Sequence, residues 1–147
     1  MKIIFICLGN ICRSPMAEYL FKDMLDKRGI KGVEVLSRGT SDEEEGNPIH
    51  YGTRKVLNNL GIDCSRHRAR KITKKECEEA DLLIVMEDSN VWWLELICGS
   101  GYRSKIKKLL DFTPRGGAIA DPWYTHDFET CYRDVNEGLL GLLEYIS

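Results

Sequence analysis

Apolar positions along this chain follow two rhythms that alternate. Ile3 to Ile6 is an unbroken apolar run. Val33 to Leu36 and Leu82 to Met86 are nearly or wholly so, and Ile106, Leu109 and Leu110 suggest a fourth run. Short continuous runs of this kind mark strands buried on both faces of a parallel sheet. Between them, apolar residues recur every three or four positions, as on one face of a helix. Met16, Leu20 and Met24, with Ala17, Phe21 and Leu25, continue until Gly29 offers a stop. Val56, Leu57 and Leu60 predict a short helix from about Thr53 to Gly61, and Ser89 is placed to cap another running through Ile97. Val135, Leu139, Leu142 and Ile146 predict an amphipathic C-terminal helix. The alternation predicts an α/β fold: a doubly wound parallel sheet of about four strands flanked by helices. No repeat, linker or low-complexity tract interrupts it, so residues 1–147 are expected to form a single domain.

In such sheets ligands bind beyond the carboxyl ends of the strands, where strand order reverses. The first strand runs directly into Cys7-Leu-Gly-Asn-Ile-Cys-Arg-Ser-Pro15 and then into the first helix. Unpaired backbone N–H groups and the helix dipole favour an anion there, which makes Leu8 to Ser14 a candidate N-terminal phosphate-binding loop. Cys7 at its base is expected to have a lowered pKa and to be nucleophilic. Arg13 supplies a planar fork for two phosphoryl oxygens. Gly9 and Asn10 tolerate positive φ in so tight a turn. Ser14 is expected to donate to the Cys7 sulfur and also to cap the helix, with Pro15 at its first position. A Walker-type nucleotide loop fits worse, because the Gly-Lys-Ser/Thr ending is absent.

Composition narrows the setting. Apolar content of 43% and charged content of 30% describe an ordinary globular protein, and a net charge of −2 gives no support to a nucleic-acid or membrane binder. No run approaches a membrane span and residues 1–6 are too short for a signal peptide, so a cytoplasmic location is expected. The six cysteines are scattered through a chain long enough to bury its own core, so Cys64, Cys77, Cys98 and Cys131 are expected to be reduced. Without a Cys-x2-Cys pair, and with His50, His67 and His126 far apart, no metal or cofactor is expected. The basic stretch 66–75 reads as a solvated loop and helix start rather than a docking surface.

Cys7 to Pro15 resembles the signature loop of the low-molecular-weight protein tyrosine phosphatases, a Cys-x5-Arg-Ser motif at the N-terminus. Ser37-Arg-Gly-Thr40, His67-Arg-Ala-Arg70 and Asp121-Pro-Trp-Tyr124 are similar to three further segments of that family, in the same order. The resemblance implies hydrolysis of protein phosphotyrosine and small aryl phosphates. A phosphocysteine would form on Cys7, with Arg13 on the phosphoryl oxygens and Asp121 as general acid and base. It also implies a supporting network of Asn10, Ser14 and His67. Asp121 on its own reads equally well as a helix cap or an Asp-Pro turn, and Trp123 and Tyr124 as core aromatics. Beside a catalytic Asp, those two and Ile11 more readily wall a slot for a phenyl ring. Cys12 shares the loop with Cys7, and its family equivalent forms a protective reversible disulfide with the nucleophile; otherwise Cys12 simply packs beneath the loop. The implied partners are phosphotyrosine proteins, a tyrosine kinase among them, and a monomer is expected.

Two departures bear on specificity. Arg38 replaces the family's Ala, and the entrance loop carries Asp42, Glu43, Glu44 and Glu45 with no aromatic residue over 41–48. One slot wall is therefore expected to be open and acidic. Arsenate reduction is disfavoured because residues 81–97 contain no further cysteine. Protein arginine phosphatases of the family carry a small Thr where Ile11 stands and a reduced aromatic wall. A non-catalytic phosphotyrosine-binding or thiol redox-sensor module would have no need of Cys7, Arg13 and Asp121 together.

Overall fold

β1 (Lys2–Cys7) is the strand to which the rest of the sheet is attached. In the computed structural model, which describes residues 1–147, β2 (Glu34–Gly39) and β3 (Leu82–Val85) pair on its two sides. β4 (Ile106–Lys108) adds beyond β3, so the order is β2-β1-β3-β4 and every pairing is parallel. Strand order reverses between β1 and β3, and the loop after Cys7 leaves the sheet at that point. The α/β architecture agrees with the apolar pattern: Ile3 to Ile6 have no exposed surface, because helices cover both faces.

Side chains alternate across β1, so the two faces receive different residues. Ile3 and Phe5 point into a core of 23 buried residues built mainly with α1 (Arg13–Lys27) and α6 (Phe128–Ile146). Ile4 and Ile6 point into a core of nine, shared with α3 (Lys74–Glu79) and α4 (Asp88–Cys98). α6 lies close enough to residues 109–112 that a Cβ on Gly141 would stand 2.1 Å from the Phe112 carbonyl oxygen, so that position has room only for glycine. None of the helices is long and apolar enough to cross a membrane.

Helix starts differ from expectation in three places. α2 (Tyr51–Asn59) begins before Thr53, because His50 Nδ1 accepts the Gly52 N–H at 3.0 Å and acts as the cap. Ser89 lies inside α4. Glu87 caps that helix in a reciprocal box with Asn90, and the Ser89 hydroxyl donates to Glu87 Oε1 at 2.9 Å. α1 begins at Arg13, so Pro15 is its third residue, and Ser14 makes no capping bond.

The expectation of four outer reduced cysteines is corrected. Cys77 and Cys98 form a disulfide, their Cα atoms 6.6 Å apart and 21 positions apart in sequence. Both lie in the nine-residue core, where α3 and α4 pack together, and that juxtaposition has no local sequence signal. Cys64 and Cys131 are free and buried, and burial pushes the Cys131 thiol up to about 12.

Candidate active site

The loop between β1 and α1 turns at Asn10, whose φ of 60° lies in the left-handed region. Gly9 is not in that region, contrary to expectation. Asn suits the position because its short polar side chain can bond locally, and here every part of it is engaged. Asn10 Nδ2 donates to Ser14 Oγ at 2.9 Å and to Ser37 Oγ at 3.0 Å, while Oδ1 accepts the Arg70 N–H at 3.0 Å. Its carbonyl, which can only accept, takes the Nε2–H of His67 at 2.8 Å. Burial lowers the His67 pKa, opposed in part by that bond and by Glu18. Ser37 in turn donates to Glu18 Oε1 at 2.6 Å, and the other Glu18 oxygen pairs with Lys22. The Ser14 oxygen receives the Asn10 amide, and its single proton has two acceptors in reach, Cys7 Sγ at 3.0 Å and the Arg38 carbonyl at 3.4 Å, of which the sulfur is the nearer. The Asn10 N–H points at the same sulfur, at 3.3 Å. A chain of polar groups thus runs from a buried carboxylate to the Cys7 thiol. Ser14 is the second residue of α1, past the cap position, and its hydroxyl reaches the sulfur instead.

The N–H groups of Gly9, Ile11, Cys12 and Arg13 have no acceptor within the chain. Together with the start of α1 they form a nest of donors above Cys7. Arg13 is only 2% exposed. Its Nη1 binds Glu87 and the Ile119 carbonyl, the latter at 2.9 Å, and its Nη2 lies 3.3 Å from Asp121 Oδ2. Burial alone would lower its pKa, but Cys7, Asp121 and Glu87 outweigh that and raise it, so the guanidinium stays charged.

Asp121 serves two purposes at once. Its Oδ1 accepts the Trp123 N–H at 3.0 Å and caps the short helix α5 (Pro122–Thr125), while Oδ2 faces Arg13. Beside it opens a slot of about 120 Å³ that reaches Cys7 and Arg13 and has Ile11, Trp123 and Tyr124 in its walls. Glu43 and Glu44 line it on the entrance-loop side, whereas Asp42 and Glu45 do not. Glu45 instead accepts the Lys71 N–H at 3.2 Å. None of the basic residues of 66–75 lines the slot. Arg38 turns away to α3, its Nε 2.8 Å from Glu76.

The sequence of residues 2–147 matches the family model for low molecular weight phosphotyrosine protein phosphatase. The chain belongs to this family. It is 36% identical over 149 aligned positions to the low molecular weight protein-tyrosine-phosphatase YfkJ of Bacillus subtilis, covering 99% of this chain and 96% of that one. The YfkJ crystal structure superposes with a TM-score of 0.95 over 99% of this chain and 94% of the other. SP-PTP from Streptococcus pyogenes is 37% identical, with a TM-score of 0.88 and 99% and 93% coverage. DARP, a Drosophila arginine phosphatase, is 27% identical, with a TM-score of 0.90 and 100% and 98% coverage.

In this member of the family, Cys7, Arg13 and Asp121 meet at one slot. Asn10, Ser14 and His67 meet behind it, and Trp123 and Tyr124 stand at its edge rather than in the core, 49% and 72% exposed. Cys12 is free and buried against Ile11 and Ala69, and burial together with Cys7 pushes its thiol up strongly. Three further contributors escape sequence reasoning. Glu87 holds Arg13 from the start of α4, and Glu18 ends the polar chain behind Cys7. His50 stacks on Phe128, ring centroids 5.1 Å apart, and meets the Trp123 indole edge-on at 5.5 Å, bracing the slot wall. Each resembles an ordinary surface residue in sequence, and only the tertiary contact reveals it.

Proposed function

We propose that the protein hydrolyses protein phosphotyrosine, and small aryl phosphates, through a phosphocysteine on Cys7. The observation that carries this is the convergence of two donors, the Asn10 N–H and the Ser14 hydroxyl, on Cys7 Sγ beneath a nest of free amides. Donors so placed solvate a thiolate without reorganising. The thiolate attacks phosphorus in line. Arg13 and the amides of Leu8 to Ser14 hold the equatorial oxygens, and Asp121 protonates the departing phenolate. Asp121 then draws a proton from water, which attacks the phosphocysteine and restores Cys7. Ile11, Trp123 and Tyr124 flank the phenyl ring, and a flat aromatic slot suits a phenol better than a guanidino group. On this reading the partners are phosphotyrosine proteins and their kinases, met in the cytoplasm.

Turnover of para-nitrophenyl phosphate and a phosphotyrosine peptide, set against phosphoarginine and without added metal, tests the reading. Acid-quench trapping of phosphate on Cys7 tests the intermediate. Faster release from phosphoarginine would overturn the substrate class, and a metal requirement the mechanism. Cys12 is proposed to capture oxidised Cys7 as a disulfide. Peroxide should then inactivate the wild type reversibly and Cys12→Ser irreversibly; equal recovery would return Cys12 to packing.

A further inference from the structure

The catalytic slot has a neighbour. On the far side of Asp121 and Tyr124 lies a second hollow of about 300 Å³, bounded by Glu87, Ser89 and Trp93 of the α4 region and by Ala118 to Ala120. The two hollows share Leu8, Arg13, Asp121 and Tyr124, so they form one continuous surface divided by the Asp121–Tyr124 ridge. Their charge is unbalanced. Four carboxylates line them (Glu43, Glu44, Glu87 and Asp121), and Arg13 is the single cation. Arg13 is already bound to Glu87 and Asp121, and a phosphoryl group would add two further negative charges. The rim of the second hollow is aromatic. Trp93 is 43% exposed, and its ring packs T-shaped against Trp92 with centroids 4.8 Å apart. An exposed indole beside carboxylates is a suitable acceptor for a cation.

From this continuity, charge and exposed indole we infer that the second hollow is a substrate subsite, in which Trp93 receives the Arg or Lys side chain of a residue close to the phosphotyrosine. The inference rests on the phosphotyrosine reading of the adjoining slot and names the substrate class more narrowly: phosphotyrosines with a basic neighbour. A phosphotyrosine seated in the slot leaves its flanking chain at the ridge, and a side chain crossing the ridge meets Trp93 and Glu87. Indole is the strongest of the aromatic acceptors for a cation, and the surrounding carboxylates raise the local concentration of positive groups.

The test is a phosphotyrosine peptide series in which Arg, Glu, Leu or Ala is placed in turn at each of the three positions on either side. For each protein the quantity read is the ratio of kcat/KM for the Arg peptide to that for the Ala peptide. At the best position a ratio of about 3 to 10 is expected in the wild type, residing in KM, and it should collapse toward 1 in Trp93→Ala. Trp93→Leu keeps the apolar bulk and should lose the preference as well. Wild-type turnover of every peptide with a ratio near 1, or a preference for Glu or Leu, overturns the subsite and leaves the phosphatase reading standing. An Arg preference that survives both substitutions overturns the role of Trp93. No turnover of any phosphotyrosine peptide overturns both readings.

Discussion

The two faces of the sheet are built on different principles although they share β1. On the face toward α1 and α6, 23 buried residues interlock, and Phe5 meets Phe21 edge-on at 5.9 Å. Burying a large apolar side chain contributes roughly 1.5–3 kcal/mol, so area is the main term on this face. On the face toward α3 and α4, nine residues suffice, and two of them are the disulfide-bonded Cys77 and Cys98. The narrow face nevertheless sends Glu87 from the start of α4 to Arg13, while the broad face supplies α1, which carries Arg13. The loop is therefore anchored from one side and oriented from the other. Apolar packing and the orienting ion pair reach the loop from different faces.

That separation can be broken or sharpened experimentally. Cys7→Ser is expected to lower turnover by roughly 10⁴-fold or more while phosphate or vanadate binding partly survives, because the amides and Arg13 remain. Single-turnover assays and calorimetry together would detect the opposite outcome. Asp121→Asn should slow esters with poor leaving groups by about 10²- to 10⁴-fold and activated esters far less, since only the former need the proton. Equal losses across a leaving-group series would return Asp121 to its role as the α5 cap. On the narrow face, Cys98→Ala removes a covalent link closing 21 positions. In the chain-entropy model that costs about 3 kcal/mol, a fall in Tm of roughly 6–12 °C, with turnover largely kept. Thermal melts of the oxidised wild type and the variant check this; a collapse of kcat with unchanged Tm would show that the staple serves Glu87 instead. The smallest effect belongs to the entrance loop. Neutralising Glu43 and Glu44 should speed hydrolysis of acid-flanked phosphotyrosine peptides by only about 2- to 5-fold, and less in high salt, as for other exposed charges. A loss instead would mean that these carboxylates hold the loop rather than set its field.

Much of this arrangement is legible in the chain. Ile3 to Ile6 announces a doubly buried strand because the run is short, mostly β-branched and closed by the Gly9-Asn10 turn. The loop motif is legible because its residues are adjacent. What escapes is whatever depends on distant elements meeting. The Cys77–Cys98 bond needs α3 to pack on α4, and Glu87 gains meaning only when β3 delivers α4 beside Arg13. Ser14 misleads for a related reason. A hydroxyl at a helix start is a good cap, but α1 begins one residue earlier, at Arg13, which puts Ser14 inside the helix with its oxygen taking the Asn10 amide and its O–H near Cys7.

The strand order carries a consequence for how the chain is made. β1 is flanked by β2 and β3, and Ile3 to Ile6 find their β3 partners only at Leu82 to Val85. During synthesis at about 5–20 residues per second, roughly 75 residues must follow β1 before β3 emerges, an interval of about 4–15 s. For that time this wholly apolar segment has at most one neighbour, and no hairpin can shelter it, because every pairing in the sheet is parallel and non-local. Until β3 emerges the nascent chain is exposed to aggregation through this segment, and a chaperone that binds short aliphatic segments has its natural target in residues 3–6.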